Sequence, residues 1–100
     1  MWDLISTSEL ERYLDEGQNM LLVDLRSRDA FCRGHIRGAV NIPYDELDEH
    51  LPELRSDQMI VLYCYHGSHS IVAARDLALM GYRVTNVYGG ILAYRGKYFV

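Results

Sequence analysis

No stretch of this sequence approaches the ~20 consecutive apolar residues that a membrane-spanning helix requires. The segment Met1-Trp2-Asp3-Leu4-Ile5-Ser6 lacks the basic-then-apolar pattern of a secretory leader. Neither a membrane span nor a leader is expected, and a cytoplasmic location is. Basic charge is also scarce, with 10 Lys and Arg against 14 Asp and Glu and a formal net charge of −4. With no basic block present, the chain offers no electrostatic footprint for nucleic acid. Cysteine is limited to Cys32 and Cys64. They would allow one disulfide, but in a reducing compartment free thiols are the expectation. Low-complexity tracts, internal repeats and Pro/Gly/Ser linkers are absent as well.

What is present is a chain of 100 residues, 49% of them hydrophobic, enough for one compact core and too few for two. One domain over residues 1–100 is expected. Short apolar runs alternate with helical patterns, the rhythm of an α/β fold. Ser6-Thr7-Ser8-Glu9 reads as a capping box, and Leu10, Tyr13 and Leu14 recur at helical spacing before Gly17, which predicts a helix over Ser8 to Glu16. Met20-Leu21-Leu22-Val23 is a continuous apolar run of the kind found in strands buried on both faces. It ends in the polar group Asp24 to Asp29, where α/β folds place sites. Further on, Asp29 to Arg33 predicts a helical turn, Ala39 to Ile42 a brief strand, and Asp45 to Glu53 a weaker helix broken by Pro52. Ile71, Ala74, Leu77 and Ala78 follow helical spacing up to Gly81, Val84 to Val87 reads as a strand, and Gly89 to Tyr94 as a turn into a last short helix.

Chemistry converges on Cys64. It follows the apolar run Met59-Ile60-Val61-Leu62-Tyr63 and opens the polar loop Tyr65-His66-Gly67-Ser68-His69-Ser70, directly ahead of a helical pattern. A thiol between a buried strand and a helix N-terminus faces unpaired backbone N–H groups and the positive end of the helix dipole, both of which favour negative charge on sulfur. Such a placement makes a nucleophile without a metal.

Three blocks in order give the chain a family resemblance. Asp24-Leu25-Arg26, followed by Phe31-Cys32-Arg33-Gly34-His35-Ile36-Arg37-Gly38-Ala39-Val40-Asn41-Ile42-Pro43, resembles the D-x-R and F-x-x-G-H-I-x-G-A-x-N-I-P stretch of rhodanese-like sulfurtransferase domains. Tyr63 to Ser70 is similar to their Y-C-x-x-G-x-R-S loop, and Gly81-Tyr82 through Gly89-Gly90-Ile91 to their G-Y…G-G-I segment. The resemblance implies a five-stranded, mainly parallel sheet with helices on both faces. It also implies sulfur chemistry at Cys64, in which sulfane sulfur passes from thiosulfate or a protein persulfide onto Cys64 and then to cyanide or a thiol. The persulfide is the shared intermediate of a ping-pong transfer. No cofactor and no metal is implied.

Within that reading the backbone N–H groups of Tyr65, His66, Gly67, Ser68, His69 and Ser70 are expected to cradle the sulfur, with Gly67 supplying positive φ. Ser68 and Ser70 would add hydroxyl donors or cap the helix, and His66 or His69 would bring a nearby positive charge. His69 stands where many family members carry Arg; a histidine is only partly charged at neutral pH, which would weaken an anionic donor's hold. Tyr94 replaces the usual Trp, a packing departure. Asp24 and Arg26 are expected to be a structural pair near the site rather than reacting groups. His35 is expected to hydrogen-bond loop backbone, and Cys32 to be a small residue on a helical turn rather than a resolving thiol.

Three rival readings stand beside this one. Cys32, His35, Cys64, His66 and His69 superficially suit zinc, but a cysteine at a strand end followed by a glycine-containing loop suits an anion better. A phosphatase would need the Cys-x5-Arg pattern, and the sixth position after Cys64 is Ser70, which leaves no guanidinium to clamp phosphoryl oxygens. The third is a non-catalytic or protein-specific module that carries or recognises persulfide sulfur for a partner.

Overall fold

The computed structural model describes residues 2–100; Met1, the first residue of the expected domain, lies outside them. Five short strands form one sheet: β1 (Asp3–Ile5), β2 (Met20–Asp24), β3 (Val40–Asn41), β4 (Met59–Tyr63) and β5 (Val84–Val87). Their spatial order is β1-β5-β4-β2-β3, and every strand pairing is parallel. This is the expected five-stranded sheet. Its helices are α1 (Thr7–Asp15), α2 (Arg28–Arg33), α3 (Ser68–Leu79) and α4 (Gly90–Ala93), with a 3₁₀ segment over Tyr44–Glu53.

The period-two geometry of the strands sorts their side chains into two cores. Val23, Leu25, Ile60, Leu62, Cys64 and Val84 pack under α3 and the 3₁₀ segment, whereas Leu22, Met59, Val61, Tyr63 and Val87 pack under α1. β4 is buried along its whole length, which is why it reads as an uninterrupted apolar run. Each such side chain withdrawn from water contributes about 1.5–3 kcal/mol before chain entropy is charged against it.

α1 starts on the capping box: Ser6 Oγ accepts from the Glu9 N–H at 3.0 Å, and Glu9 Oε1 accepts from the Ser6 N–H at 3.1 Å. Gly17, at φ +65°, turns the chain out of the helix.

Two expectations are corrected. Pro52 does not break the helix before β4. The segment is a 3₁₀ helix with Pro52 inside it, a tighter coil used in short pieces, where Leu54 N–H still closes onto the Leu51 carbonyl at 3.0 Å. In α3 the buried stripe is Ser70, Ala73, Ala74 and Leu77, while Ile71 is 40% exposed. Spacing alone made Ile71 the inward residue. The helix is rotated so that the small residues Ser70, Ala73 and Ala74 meet the sheet.

Because all strands run the same way, their C-terminal ends share one edge. Leu25 N–H donates to the Tyr63 carbonyl at 2.9 Å and prolongs the β2–β4 ladder to the point where Cys64 leaves the sheet. The edge is where open α/β sheets form crevices. None of the described helices is long and apolar enough to cross a membrane.

Candidate active site

Cys64 is only 4% exposed, and its Sγ is held from two sides. The Gly67 N–H donates to it at 3.1 Å, and its thiol donates to Ser70 Oγ at 3.5 Å. Ser70 in turn donates to the Gly67 carbonyl at 3.2 Å. Gly67 makes this curl possible: at φ +105° it occupies left-handed backbone that a side chain disfavours, and it serves as the N-cap of α3. The helix has no side-chain cap, so Ser68 does not perform the capping role open to it, and Ser70 bonds back to the loop instead. The N–H groups of the first turn of α3 are left without intrahelical partners beside the sulfur. Of the donors expected to ring Sγ, the Gly67 N–H is the one bonded to it.

The loop is also fastened from behind. The Ile91 N–H donates to the Cys64 carbonyl and the Leu92 N–H to the Tyr65 carbonyl, both at 2.9 Å. Gly90 permits this approach. A Cβ there would stand 2.5 Å from both carbonyl oxygens, and its φ of +59° is again left-handed. Gly90 of the third sequence block is thus explained by contact with the cysteine loop, a relation that local periodicity does not signal, whereas Gly89 answers to its own left-handed φ of +83° at the N-cap of α4.

Cys64 opens into a cleft of 1010 Å³. Tyr65, His66, Ser68 and His69 form its loop side. Tyr65, His66, Ser68 and His69 are all exposed, and the Tyr65 and His66 rings meet edge to face at 5.7 Å. The His69 ring instead lies flat against Tyr44 from the start of the 3₁₀ segment. The opposite wall is α2, with Arg28 and Arg33, and beyond it Phe99. Arg28 pairs with Glu46 across the cleft. Sequence reading missed Tyr44, Arg28, Arg33, Glu46 and Phe99, which reach the site through tertiary placement.

Asp24 and Arg26 form a bidentate ion pair. Arg26 Nη2 lies 2.7 Å from Asp24 Oδ2, and its Nε 3.1 Å from both carboxylate oxygens. The Asp24 side chain is fully buried and that of Arg26 11% exposed. Burial works against the guanidinium's charge, but the Asp24 carboxylate outweighs it and holds Arg26 above its ordinary range. Arg26 also donates to the Gly34 carbonyl at 2.6 Å. The Asn41 amide donates to the Asp24 and Arg26 carbonyls at 3.0 and 2.9 Å. This network ties β2, β3 and the end of α2 together, with Arg26 on the cleft wall and Asp24 fully buried.

His35 Nδ1 lies 2.9 Å from the Phe31 carbonyl and its ring stacks on Phe31. Cys32 is an exposed free thiol on α2. Among the described residues no three His, Cys, Asp or Glu side chains converge as a metal site. Tyr94 is buried and bonds to Glu11, so the Trp-to-Tyr departure adds a polar anchor; the Tyr94 hydroxyl also accepts the Tyr98 N–H at 3.1 Å.

Comparison with known proteins agrees with this architecture. The rhodanese-like domain pattern matches residues 6–97. A sulfurtransferase of Allochromatium vinosum is 33% identical over 91 residues, covering 90% of this chain and 85% of that protein. The HTH-type transcriptional regulator Rv0324 of Mycobacterium tuberculosis is 38% identical over 99 residues, and there the match covers 93% of this chain but only 42% of the regulator. The crystal structure of a rhodanese-like domain protein from Staphylococcus aureus superposes with a TM-score of 0.90 at 26% identity, covering 98% of this chain and 96% of that one. With a pattern matching residues 6–97, a relative 33% identical over 90% of this chain and the shared parallel-sheet fold, the chain belongs to the rhodanese-like domain family.

Proposed function

We propose that this chain transfers sulfane sulfur through a persulfide on Cys64, with thiosulfate or a protein persulfide as donor and a thiol or cyanide as acceptor. The observation that carries the reading is the seat of Sγ, which lines a cleft beside the N-terminus of α3, where no side chain caps the helix, with the Gly67 N–H aimed at it from 3.1 Å. The name of the Allochromatium vinosum relative points the same way. In the loading step the Cys64 thiolate attacks the outer sulfur of thiosulfate. The donor's S–S bond breaks with its electron pair leaving on sulfite, and Cys64 carries the new sulfur. The loop's N–H groups and the helix dipole favour the negative charge on that sulfur. A thiolate or cyanide then takes the outer sulfur and returns Cys64 to thiolate.

The test is intact-protein mass spectrometry after incubation with thiosulfate, comparing the parent chain with Cys64→Ser. The expected result is an adduct of ~32 Da on the parent alone, discharged as thiocyanate by cyanide, as covalent catalysis requires. An adduct that persists in Cys64→Ser overturns the assignment. No adduct from thiosulfate, with loading from a persulfide-bearing protein, makes the chain a protein-specific carrier.

A further inference from the structure

Three arginines line the cleft above Cys64, and two are engaged. Arg26 is held by Asp24 and the Gly34 carbonyl, and Arg28 by Glu46. Arg33, in the last turn of α2, pairs with no carboxylate among the described residues and donates no side-chain hydrogen bond there. Arg33 is exposed and lines the same cleft as Cys64. Next to it Phe99 packs edge-on over Gly34, so close that a Cβ at Gly34 would stand 2.3 Å from the ring. The α2 wall therefore presents one uncommitted cation and one apolar ring. On the other wall His69 is stacked on Tyr44, Asp45 adds a carboxylate, and His66 also lines the cleft. A volume of 1010 Å³ is the size of clefts that take organic ligands rather than a small inorganic dianion alone.

We infer that Arg33 selects the sulfur acceptor: the cleft takes a small organic thiol bearing a carboxylate, with the carboxylate on Arg33 and the sulfur at Cys64. The inference rests on the persulfide reading above and names the acceptor class for it. In the transfer, the acceptor thiolate attacks the outer sulfur of the Cys64 persulfide. The S–S bond to Cys64 breaks with its electron pair returning to Cys64 as thiolate, and the acceptor leaves as an organic persulfide. Charge and atoms balance without an oxidant. An arginine suits the task because its planar fork matches a carboxylate bidentately and stays charged at every pH where thiols act.

The experiment loads Cys64 with inorganic polysulfide, which modifies a thiol without needing a donor site. Single-turnover discharge is then followed by the loss of ~32 Da. N-acetylcysteine and its amide serve as the anionic and neutral acceptors. The quantity read is the ratio of their discharge rates relative to the parent chain, so that the difference in intrinsic thiol reactivity cancels. Arg33→Gln should lower that ratio about threefold and Arg33→Glu about tenfold, with Arg33→Lys close to the parent, as a solvent-exposed ion pair allows. The effect should shrink in high salt, which a merely structural role of Arg33 would not produce. An unchanged ratio in Arg33→Gln and Arg33→Glu overturns the inference, as does failure of both thiols to discharge a loaded Cys64. Loss of thiosulfate loading in these variants with an unchanged ratio would assign the charge to the donor and also overturns it. Failure of Cys64 to load at all would instead overturn the persulfide reading.

Discussion

The imidazole of His69 lies parallel to the phenol ring of Tyr44, with centroids 4.5 Å apart and planes within 7°. The stack joins the first turn of α3 to the start of the 3₁₀ segment and occupies the place where many family members carry a guanidinium. His69→Arg is expected to lower the thiosulfate KM about threefold by placing a guanidinium, a permanent cation with a planar fork of donors, at this position. Steady-state kinetics at fixed pH and ionic strength check it, and an unchanged KM would mean that this position does not meet the donor.

The Asp24–Arg26 pair should contribute to stability mainly through what its breakage leaves behind. Asp24→Ala strands a guanidinium in a side chain that is 11% exposed, and a loss of about 3–5 kcal/mol is expected from denaturant unfolding. The double variant Asp24→Ala/Arg26→Met should be clearly more stable than the sum of the two single losses. Strict additivity would show that the two side chains are not coupled.

Gly90→Ala places a methyl group against the carbonyls of Cys64 and Tyr65. A destabilisation of about 1–3 kcal/mol is expected from the left-handed φ alone, and persulfide loading should fall further because the cysteine loop is pushed from its seat. Thermal unfolding together with the loading rate checks this. A variant that loads like the parent would show that α4 does not position the loop.

Alkaline pH should weaken the fold through its buried phenols. Tyr94 is pushed up to about 12 from an ordinary 10.0, by burial and by its hydrogen bond to Glu11. Burial pushes Tyr63 up as well. Folding thus favours the protonated phenol. The contribution is whole below the unfolded pKa and is lost as pH rises through the folded one, so stability should decline between pH 10.0 and about 12. Tyr94→Phe should make that decline shallower in denaturant midpoints measured across the window, with the Tyr63 share remaining.

The sheet was readable because its signals are local. β2 and β4 are apolar runs of strand length, α1 carries its capping box, and Gly17 and Gly81 mark helix ends. Cys64 was readable because a strand, a loop and a helix meet there in sequence. The cleft wall was not, since Arg33, Tyr44 and Phe99 are brought together by crossovers between distant segments and no periodicity of their own marks them. Ile71 misled for a related reason: an apolar residue at helical spacing outranks a serine on hydrophobicity, yet Ser70 is the one held inward, by bonds to Gly67 and Cys64.

The backbone bonds from α4 to the carbonyls of Cys64 and Tyr65, together with the Gly67 cap of α3, pin the loop at both ends and leave His66 as the one residue between the pins. An inserted residue would be absorbed at His66 or would tear the loop from one of its anchors. Length can therefore be added to the loop at a single link, while the sheet and both helices keep their places.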